Sequence, residues 1–419
     1  MLPVNPLIIE VPSPLGLRPD GVQSAPGALR KAGLHARLGS PDVARIDVPP
    51  YCDARDPETG VLNPQGIATV ALDLAASVGA ALDGGRFPIV LGGDCSILLG
   101  PMLALRRRGR YGLVFIDGHA DFQHPSDEPN GEVASLDLAL VTERGPELLA
   151  DLDGLRPLVL DEDVALMGYR VFGDNDHVLD EHVRDTAITV LDYPEIREHG
   201  AASTLERALA AVTRPGVEGF WVHLDVDVLD DDLMPAVDYR HPGGLTWEEA
   251  TDIFRGLLHA SGARGLEVTI FNPRLDAGGS LAQHLSDLIA SVLPWPRRRA
   301  LYEQLLRDEE AFVIVARRRS TAVGYLLAHV HLGPDDTGPT GDRIGEVESL
   351  AVLPPERGHG LGTLQLDCAE AVLDRLEARD VMIGVLAGND DALRFYERRG
   401  MTPVIVKLLR IGPDRTGEA

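Results

Sequence analysis

The 419-residue sequence predicts an α/β domain with a buried parallel sheet, followed by a smaller domain with a different alternation of elements. Residues 1 to about 293 alternate short apolar runs with helical patterns. Strands that are apolar on both faces are typical of a parallel sheet covered by helices. At 293–299 the chain reads LPWPRRR, a proline-rich basic break. We therefore predict two domains, residues 1–294 and 297–419.

The elements of both domains can be assigned in order. The predicted strands of the first domain are PLIIEV, RFPIVLGG, YGLVFID, VALMGY, AITVLD, GFWVHLDVDV and GLEVTI. Helical segments such as GIATVALDLAASVGAALDGG and TLERALAAVTRPG lie between them. The second domain is predicted to contain the helix ALYEQLLRDEE, the hairpin AFVIVARRRSTAVGYLLAHVHL, a strand, a glycine-rich turn and a further helix.

Composition excludes some classes of partner. The net charge of −26 argues against nucleic acid and against an anionic membrane surface. We find no window of about 18 consecutive apolar residues and no secretory signal in MLPVNPLIIEVPSP, so no membrane span or export is expected. The cysteines Cys52, Cys95 and Cys368 are few and widely spaced, which fits a reducing compartment. The expectation is a cytoplasmic protein with a small-molecule substrate.

Two stretches place acidic and histidine residues at predicted strand ends. FIDGHADF carries Asp117, His119 and Asp121 at alternate positions, and HLDVDVLDDD carries Asp225 and Asp227. Alternate residues of an extended chain share a face, and carboxylates gathered there repel unless protons or cations neutralise them. Open α/β sheets bind ligands at the carboxyl ends of their strands. One such cluster also fits a solvated turn, but two predict a dinuclear metal site.

A cysteine follows the turn in VLGGDCSILLG. Cys95 there is either a small buried apolar residue at a strand end or a metal ligand, and its own sequence context leaves both open.

The first domain resembles the arginase/agmatinase (ureohydrolase) family along its whole length. The segments GVQSAPGALRKAGL, GGDCS, DGHAD, LDVDVLDDDLMPA, PGGLTWEEA and LEVTIFNPRLD match blocks of that family in the same order. The resemblance implies a three-layer α/β/α domain and a homo-oligomer. It also implies two Mn²⁺ ions and a hydroxide that attacks the central carbon of a guanidine or a related amidine.

The same resemblance implies roles for individual residues. One ion is implied to bind Cys95, Asp117, Asp121 and Asp225, and the other His119, Asp117, Asp225 and Asp227. Glu267 is implied to pair with the guanidinium, with a surface charge at a strand end as the alternative. Cys95 stands where the family has histidine. A thiolate would shift the preference from Mn²⁺ towards Zn²⁺ or Fe²⁺, and a weakened or empty site is the alternative.

Other positions depart from the family pattern. Ala134 lies near the position of a proton-transferring histidine, and the acids that grip arginine are displaced to Asp174 and Asp176. Arginine itself is therefore not the expected substrate, and a leaving group more acidic than ammonia would relax the need for a proton donor. Structural roles are assigned to His124, His223 and His241.

The second domain resembles the GNAT acyltransferase family. VESLAVLPPERGHGLGTLQL reads as strand, turn, glycine-rich loop and helix, and such a helix N-terminus favours a pyrophosphate. The loop fits R-x-x-G-x-G, and VLAGNDDALRFYERRGM fits the closing block of the family. The resemblance implies acetyl-CoA or another acyl-CoA as cofactor, bound by Val352, Arg357, Gly358, His359, Gly360, Leu361, Gly362, Thr363 and Asn389.

The resemblance also implies the chemistry of this second domain. Tyr396 would protonate the departing thiolate, and Glu348 or Glu346 would be the base. A packed tyrosine and glutamates on a strand surface are the alternatives. The strand and helix that usually begin the domain are missing, because only about ten residues precede ALYEQLLRDEE after the last helix of the first domain.

Together these features predict a bifunctional enzyme. The first domain would hydrolyse a C–N bond in a guanidino, hydroxyguanidino or formimino compound, and the second would transfer an acyl group to an amine. The alternatives are a degraded first domain with acetyltransferase activity alone, or an active hydrolase whose second domain serves oligomerisation or ligand sensing.

Overall fold

The computed structural model describes residues 6–38, 43–171, 182–293, 302, 305–319, 321–333, 342–352, 356, 358–385 and 390–402. The chain divides into two compact units, Met1–Pro296 and Arg297–Ala419. Four residues singled out above lie outside the described residues, namely Asp174, Asp176, Arg357 and Asn389.

The first unit is built on an eight-stranded sheet in which every neighbouring pair is parallel. Its strands are β1 (Pro6–Val11), β2 (Val43–Arg45), β3 (Phe87–Gly92), β4 (Gly112–Ile116), β5 (Val164–Met167), β6 (Thr189–Leu191), β7 (Phe220–Asp225) and β8 (Ala263–Thr269). Their order across the sheet is β2-β1-β3-β8-β7-β4-β5-β6. The predicted parallel α/β sheet is confirmed. Only β2 was not predicted, because this short edge strand is largely exposed and carries no apolar run.

Helices cover both faces of this sheet. They are α1 (Ala25–Lys31), α2 (Leu34–Leu38), α3 (Pro64–Asp83), α4 (Leu99–Arg106), α5 (Asp137–Val141), α6 (Glu147–Ala150), α7 (Tyr193–His199), α8 (Ala201–Val212), α9 (Trp247–His259) and α10 (Ser280–Val292). Alternate strand residues enter separate hydrophobic cores: Ile8 packs with α1, α2 and α8–α10, whereas Ile9 packs with α3–α6. This gives the predicted three-layer α/β/α arrangement.

Helix α3 differs from one expectation of the sequence. It is long and apolar enough, by length and composition, to cross a membrane, although no such window was expected. Half of that window is buried inside the protein, and Ile67, Leu74 and Val78 belong to one of the two cores. A buried core helix meets the same criterion, so the finding is weak evidence for a membrane span.

The second unit contains a four-stranded sheet with the order β12-β11-β10-β9. Its elements are β9 (Ala311–Arg318), β10 (Thr321–Leu332), β11 (Arg343–Val352), α11 (Leu361–Arg375), β12 (Asp380–Ile383) and α12 (Asp390–Glu397). The pairs β9–β10 and β10–β11 are antiparallel, and β11–β12 is parallel. Helix α11 packs on the sheet through Leu366, Ala369 and Leu373. This mixed sheet confirms the predicted α+β class.

Candidate metal centre

The turn after β3 fixes Cys95 at the carboxyl edge of the first sheet. A Cβ atom on Gly93 would lie 1.8 Å from the carbonyl oxygen of Ser13, so only glycine fits there. Asp94 accepts hydrogen bonds from Ser13 Oγ (3.0 Å) and from the backbone N–H of Ser96 (2.9 Å). The second bond caps the helical turn that starts at Cys95. The GGDC segment is thus a rigid support for one side chain.

The two predicted clusters meet at this edge because β4 and β7 are adjacent. Asp227 Oδ1 accepts a hydrogen bond from the backbone N–H of Gly118 (2.9 Å), and Asp227 Oδ2 lies 2.9 Å from Nδ1 of His119. Asp225 Oδ1 accepts from the backbone N–H of Asp227 (2.8 Å). The Sγ atom of Cys95 lies 3.0 Å from Asp225 Oδ2. Residues from three strand ends therefore form one cluster.

Two sets of donor atoms in this cluster fit a divalent cation. Cys95, Asp117 and Asp225 offer one set, and Asp117, His119 and Asp227 offer another, with the donors of each set within 4.8 Å of one another. Asp117 belongs to both sets and is fully buried, and its Oδ2 atom has no hydrogen-bond partner in the part of the chain that the structure describes. A buried carboxylate oxygen without a partner is costly unless a cation or a proton satisfies it. The donor chemistry therefore fits the implied pair of ions.

Asp121 is the predicted ligand that the structure leaves outside both sets. It lies at the cavity wall with a left-handed backbone (φ 43°). Burial, together with the carboxylates of Asp117 and Asp137, raises its pKa well above the ordinary range. Asp121 stays next to the cluster without joining a donor set.

Two further residues belong to the cluster and were not predicted as ligands. Asp137, the first residue of α5, and His223, in β7, form a third set of donors with Cys95, again within 4.8 Å. His223 precedes Asp225 by two strand positions, so strand periodicity places both on one face. That signal was available in the sequence. Asp137 gave only the weaker signal of one acid in the apolar segment ASLDLALV.

The protonation of the cluster follows from its burial. Burial raises the pKa of the Cys95 thiol and of Asp225, and neighbouring carboxylates raise both further. Burial opposes ionisation of Asp117 too, but the imidazoles of His119 and His223 hold its pKa below the ordinary range. Cations that bind this cluster would therefore displace protons.

A cavity of about 910 Å³ opens above the cluster. Beyond the donor sets its lining includes the acids Asp127, Glu128, Glu132, Asp185 and Asp238. The lining arginines are already engaged: Arg144 pairs with Asp161 (2.6 Å), and Arg170 donates to the carbonyl oxygen of Asp227 (2.8 Å). The acidic side chains of the lining outnumber its two arginines, so the formal charge of the cavity is negative.

The predicted role of Glu267 does not agree with its position. Its side chain is fully buried, and Oε1 lies 2.8 Å from Nδ1 of His223. Glu267 does not line the cavity; Ile270, just beyond the end of β8, does. Strand β8 directs residue 267 into the interior, where its carboxylate contacts His223.

Three imidazoles stand at other positions of the cavity wall. His124, His182 and His241 line it, and the ring of His241 lies edge-on to that of His119 at 4.4 Å. Ala134 also lines the cavity, so the position near the expected proton donor is apolar. His124 and His241 therefore lie where they can contact a ligand, which the structural roles expected from the sequence did not require.

In the second unit the glycine-rich loop is exposed and leads into α11. Gly358 (φ 77°) and Gly360 (φ 78°) adopt left-handed conformations, with open space where a Cβ would lie. Both are exposed, as is His359, and Leu361, Gly362 and Thr363 are half-buried in the first turn of the helix. The backbone of this stretch is thus accessible to a ligand. Val352 ends β11, the strand before the loop.

The predicted acid–base residues of this unit occupy its sheet and core. Glu348 Oε1 lies 3.1 Å from Nε2 of His329, and Glu346 Oε2 lies 3.1 Å from Nε2 of His331. Tyr396 is 8% exposed and packs in the core, and burial raises its pKa. A raised pKa keeps the phenol protonated, as a proton donor requires.

Comparison with known proteins matches two family models to this chain. The Arginase family model matches residues 6–293, and the Acetyltransferase (GNAT) family model matches residues 282–401. An arginase of Staphylococcus aureus (strain MRSA252) is 28% identical over 295 residues, which cover 68% of this chain and 95% of the relative. An arginase of Brevibacillus brevis is 30% identical over 295 residues, covering 69% and 97%. The native arginase structure from Bacillus caldovelox superposes with a TM-score of 0.64 at 28% identity, covering 69% and 98%.

These matches cover every strand of the parallel sheet and both predicted acidic clusters. The chain therefore belongs to the arginase family and carries a GNAT acetyltransferase domain at its C-terminal end.

Proposed function

We propose that the first unit hydrolyses a C–N bond in a small cationic guanidino, hydroxyguanidino or formimino compound. The observation that carries this proposal is the pair of donor sets sharing Asp117 at the floor of an acidic cavity. Hydrolysis adds water to the amidine carbon and breaks one C–N bond, which releases an amine and urea, hydroxyurea or formamide. The arginases among its relatives support this reaction class.

The chain's own residues bind two divalent ions and orient the substrate. Cys95, Asp117 and Asp225 would hold one ion, and Asp117, His119 and Asp227 the other. When bound, the ions supply a water of lowered pKa and positive charge for the developing anion. Ala134 offers no proton, so transfer to the amine falls to the cavity imidazoles, with His241 beside His119.

Asp238 is the acid assigned to the cationic group of the substrate. Asn272 Nδ2 donates to its Oδ1 atom (2.6 Å) and fixes the side chain at the cavity wall. Its Oδ2 atom is buried, and no described residue forms a hydrogen bond with it. An amidinium or ammonium group would satisfy that oxygen with a charge-assisted hydrogen bond.

The test begins with metal content per chain, measured by mass spectrometry on protein purified without chelator. About two equivalents, followed by amine release from a panel of guanidino, hydroxyguanidino and formimino compounds, is the expected result. Asp227→Asn should lower kcat/KM by about 100-fold or more through loss of a ligand. Asp238→Asn should mainly raise KM, by about 10- to 100-fold. Exposed Asp53→Asn is the matched control. Metal content near zero that added metal does not restore would contradict the proposal.

A second activity is proposed for the GNAT domain, namely acyl transfer from coenzyme A to an amine. The open, left-handed Gly358 and Gly360 before α11 favour binding of a pyrophosphate. Titration calorimetry with acetyl-CoA tests it directly. Binding with amine acetylation supports the transferase, and binding without turnover favours ligand sensing. No binding leaves oligomerisation as the role of this domain.

The cellular setting is part of the same proposal. Cys95 must remain a thiol to ligate metal, which fits a cytoplasmic protein. We also propose a homo-oligomer acting on a small molecule, which light scattering of the full chain will test.

A further inference from the structure

The imidazole of His223 is oriented as metal-bound histidines are. It is fully buried in β7, stacked on Phe115 with ring centroids 4.4 Å apart and planes at 9°. Its Nδ1 atom lies 2.8 Å from Oε1 of Glu267, and its Nε2 atom has no hydrogen-bond partner among the described residues. In the form in which the ring is neutral and Glu267 is ionised, the proton lies on Nδ1, because an ionised carboxylate only accepts, and Nε2 presents a lone pair.

The carboxyl group of Asp137 faces the same point. It is fully buried beside the carboxyl group of Asp121, and among the described residues neither of its oxygens has a partner in hydrogen-bond geometry. Taking a carboxylate out of water without a partner costs several kcal/mol. Its oxygen, the Sγ of Cys95 and a ring nitrogen of His223 lie within 4.8 Å of one another. A sulfur and a nitrogen on one tetrahedral zinc ion lie about 3.5 Å apart, so side-chain movements of up to about 1 Å would bring all three donors within reach.

We propose that Cys95, Asp137 and His223 form a sulfur, oxygen and nitrogen metal position that selects Zn²⁺ over Mn²⁺, with Glu267 as the positioning residue of His223. This set is called the Cys95 position below. It gives a different set of ligands for one of the two proposed ion sites. It rests on the proposed function only in assuming that the protein binds metal. Thiolate and imidazole are preferred by Zn²⁺, whereas Mn²⁺ prefers oxygen donors. The carboxylate–histidine–metal arrangement through Glu267 is typical of zinc sites.

A competing role exists for the same imidazole. The Nε2 atom of His223 lies 3.8 Å from Oδ2 of Asp117, so a protonated ring would place a fixed cation between Asp117 and Glu267. Such a cation would take the place of one metal ion. The two roles differ in metal stoichiometry and in whether sulfur contacts the metal.

The experiment is a cobalt titration of the metal-free full chain, followed by absorption spectroscopy. Ligation by Cys95 predicts a thiolate-to-cobalt charge-transfer band in the near ultraviolet. Cys95→Ser should abolish the band while one equivalent still binds at Asp117, His119 and Asp227. His223→Gln and Asp137→Asn should each weaken cobalt and zinc binding at the Cys95 position at least tenfold, and Glu267→Gln by about 10-fold.

Thr269→Val is the matched control. It removes the 3.2 Å contact of Thr269 Oγ1 with the Cys95 sulfur but removes no donor of the set, so the band should persist. X-ray absorption of the zinc-loaded wild type is a readout that needs no variant, and one sulfur at about 2.3 Å with a nitrogen at about 2.0 Å is expected.

The outcomes separate the two proposals. Absence of the band in the wild type overturns the Cys95 position in favour of the fixed cation. A band unchanged in His223→Gln and Asp137→Asn overturns it in favour of ligation by Cys95, Asp117 and Asp225. Hydrolysis without the band overturns only this inference. The band without hydrolysis of any substrate supports the inference and contradicts the proposed function.

Discussion

In the first unit, Glu10 forms ion pairs that can be tested independently of the metal centre. Glu10 in β1 is 1% exposed and pairs with Arg30 (2.6 Å), His35 (3.1 Å) and Arg45 (3.3 Å). Burial opposes its ionisation, but His35 and Arg30 lower its pKa from 4.5 to about 2. The ionised form is therefore stabilised by the fold.

A depressed folded-state pKa means that this contribution is present above pH 4.5 and is lost as the pH falls towards 2. Glu10→Gln should lower the free energy of unfolding at pH 7 by roughly 1–3 kcal/mol. The difference from wild type should shrink steadily between pH 4.5 and pH 2. Urea unfolding across this range measures it, with exposed Glu58→Gln as the control. A pH-independent difference would contradict the assignment to ionic pairing.

Spacing at strand ends predicted that four of the donors, Asp117, His119, Asp225 and Asp227, lie together, and the family resemblance added Cys95. Asp137 and His223 were not predicted as ligands. Asp137 lies at the start of α5, far in sequence from most of the other donors. Only the folded chain shows that it belongs to the cluster and that no basic side chain among the described residues is paired with it. The family resemblance implied that Glu267 contacts the substrate, because the sequence does not show in which direction a side chain near a strand end points.

Among the structural elements of the site, the turn after β3 is the one that leaves least room for a larger side chain. Gly93→Ala would push a Cβ against the Ser13 carbonyl, a backbone atom that cannot move independently. We expect a loss of about 1–3 kcal/mol in unfolding free energy, as for overpacked cores. Displacement of Cys95 should also reduce metal binding.

The same substitution should have the opposite sign in α1. Gly27 is inside that helix, and nothing lies within 4 Å of an added Cβ. Gly27→Ala should stabilise the protein by up to about 1 kcal/mol, because alanine has the higher helix propensity. Thermal unfolding of both variants checks the pair, and equal shifts would mean that packing at residue 93 is not decisive.

Elements also differ in how far the sequence determines them. Seven of the eight strands of the first unit were predictable because each lies in an apolar run bounded by turn residues, including β6, which is no longer than β2. The edge strand β2 was not, because its three residues form a strand only through pairing with β1. The strand order was out of reach as well, since insertion of β7 and β8 between β3 and β4 depends on long-range packing.

For the whole molecule, the two units have separate hydrophobic cores. The large cores draw only on residues of the first unit, and the small cores only on the second. Calorimetry should therefore resolve two unfolding transitions. Zn²⁺ at about 100 times its Kd should raise one of them, and acetyl-CoA the other, by roughly 5 °C or more each.

A ligand that moved both transitions together would show that the units unfold as one. Residues 1–296, produced alone, provide the control and should keep the metal-dependent transition.

The parallel sheet also has an evolutionary consequence. The cavity-lining residues lie at or after the ends of β1, β3, β4, β5, β7 and β8, so they gather at a single edge of the sheet. Among the lining residues that the structure describes, only Asp225, the last residue of β7, belongs to a strand, and a few, such as Leu17 and Ala134, also belong to a core. Substitutions in these connections can therefore change substrate specificity while most of the residues that stabilise the fold are kept. Divergent members of such a family are expected to share a reaction class more faithfully than a substrate.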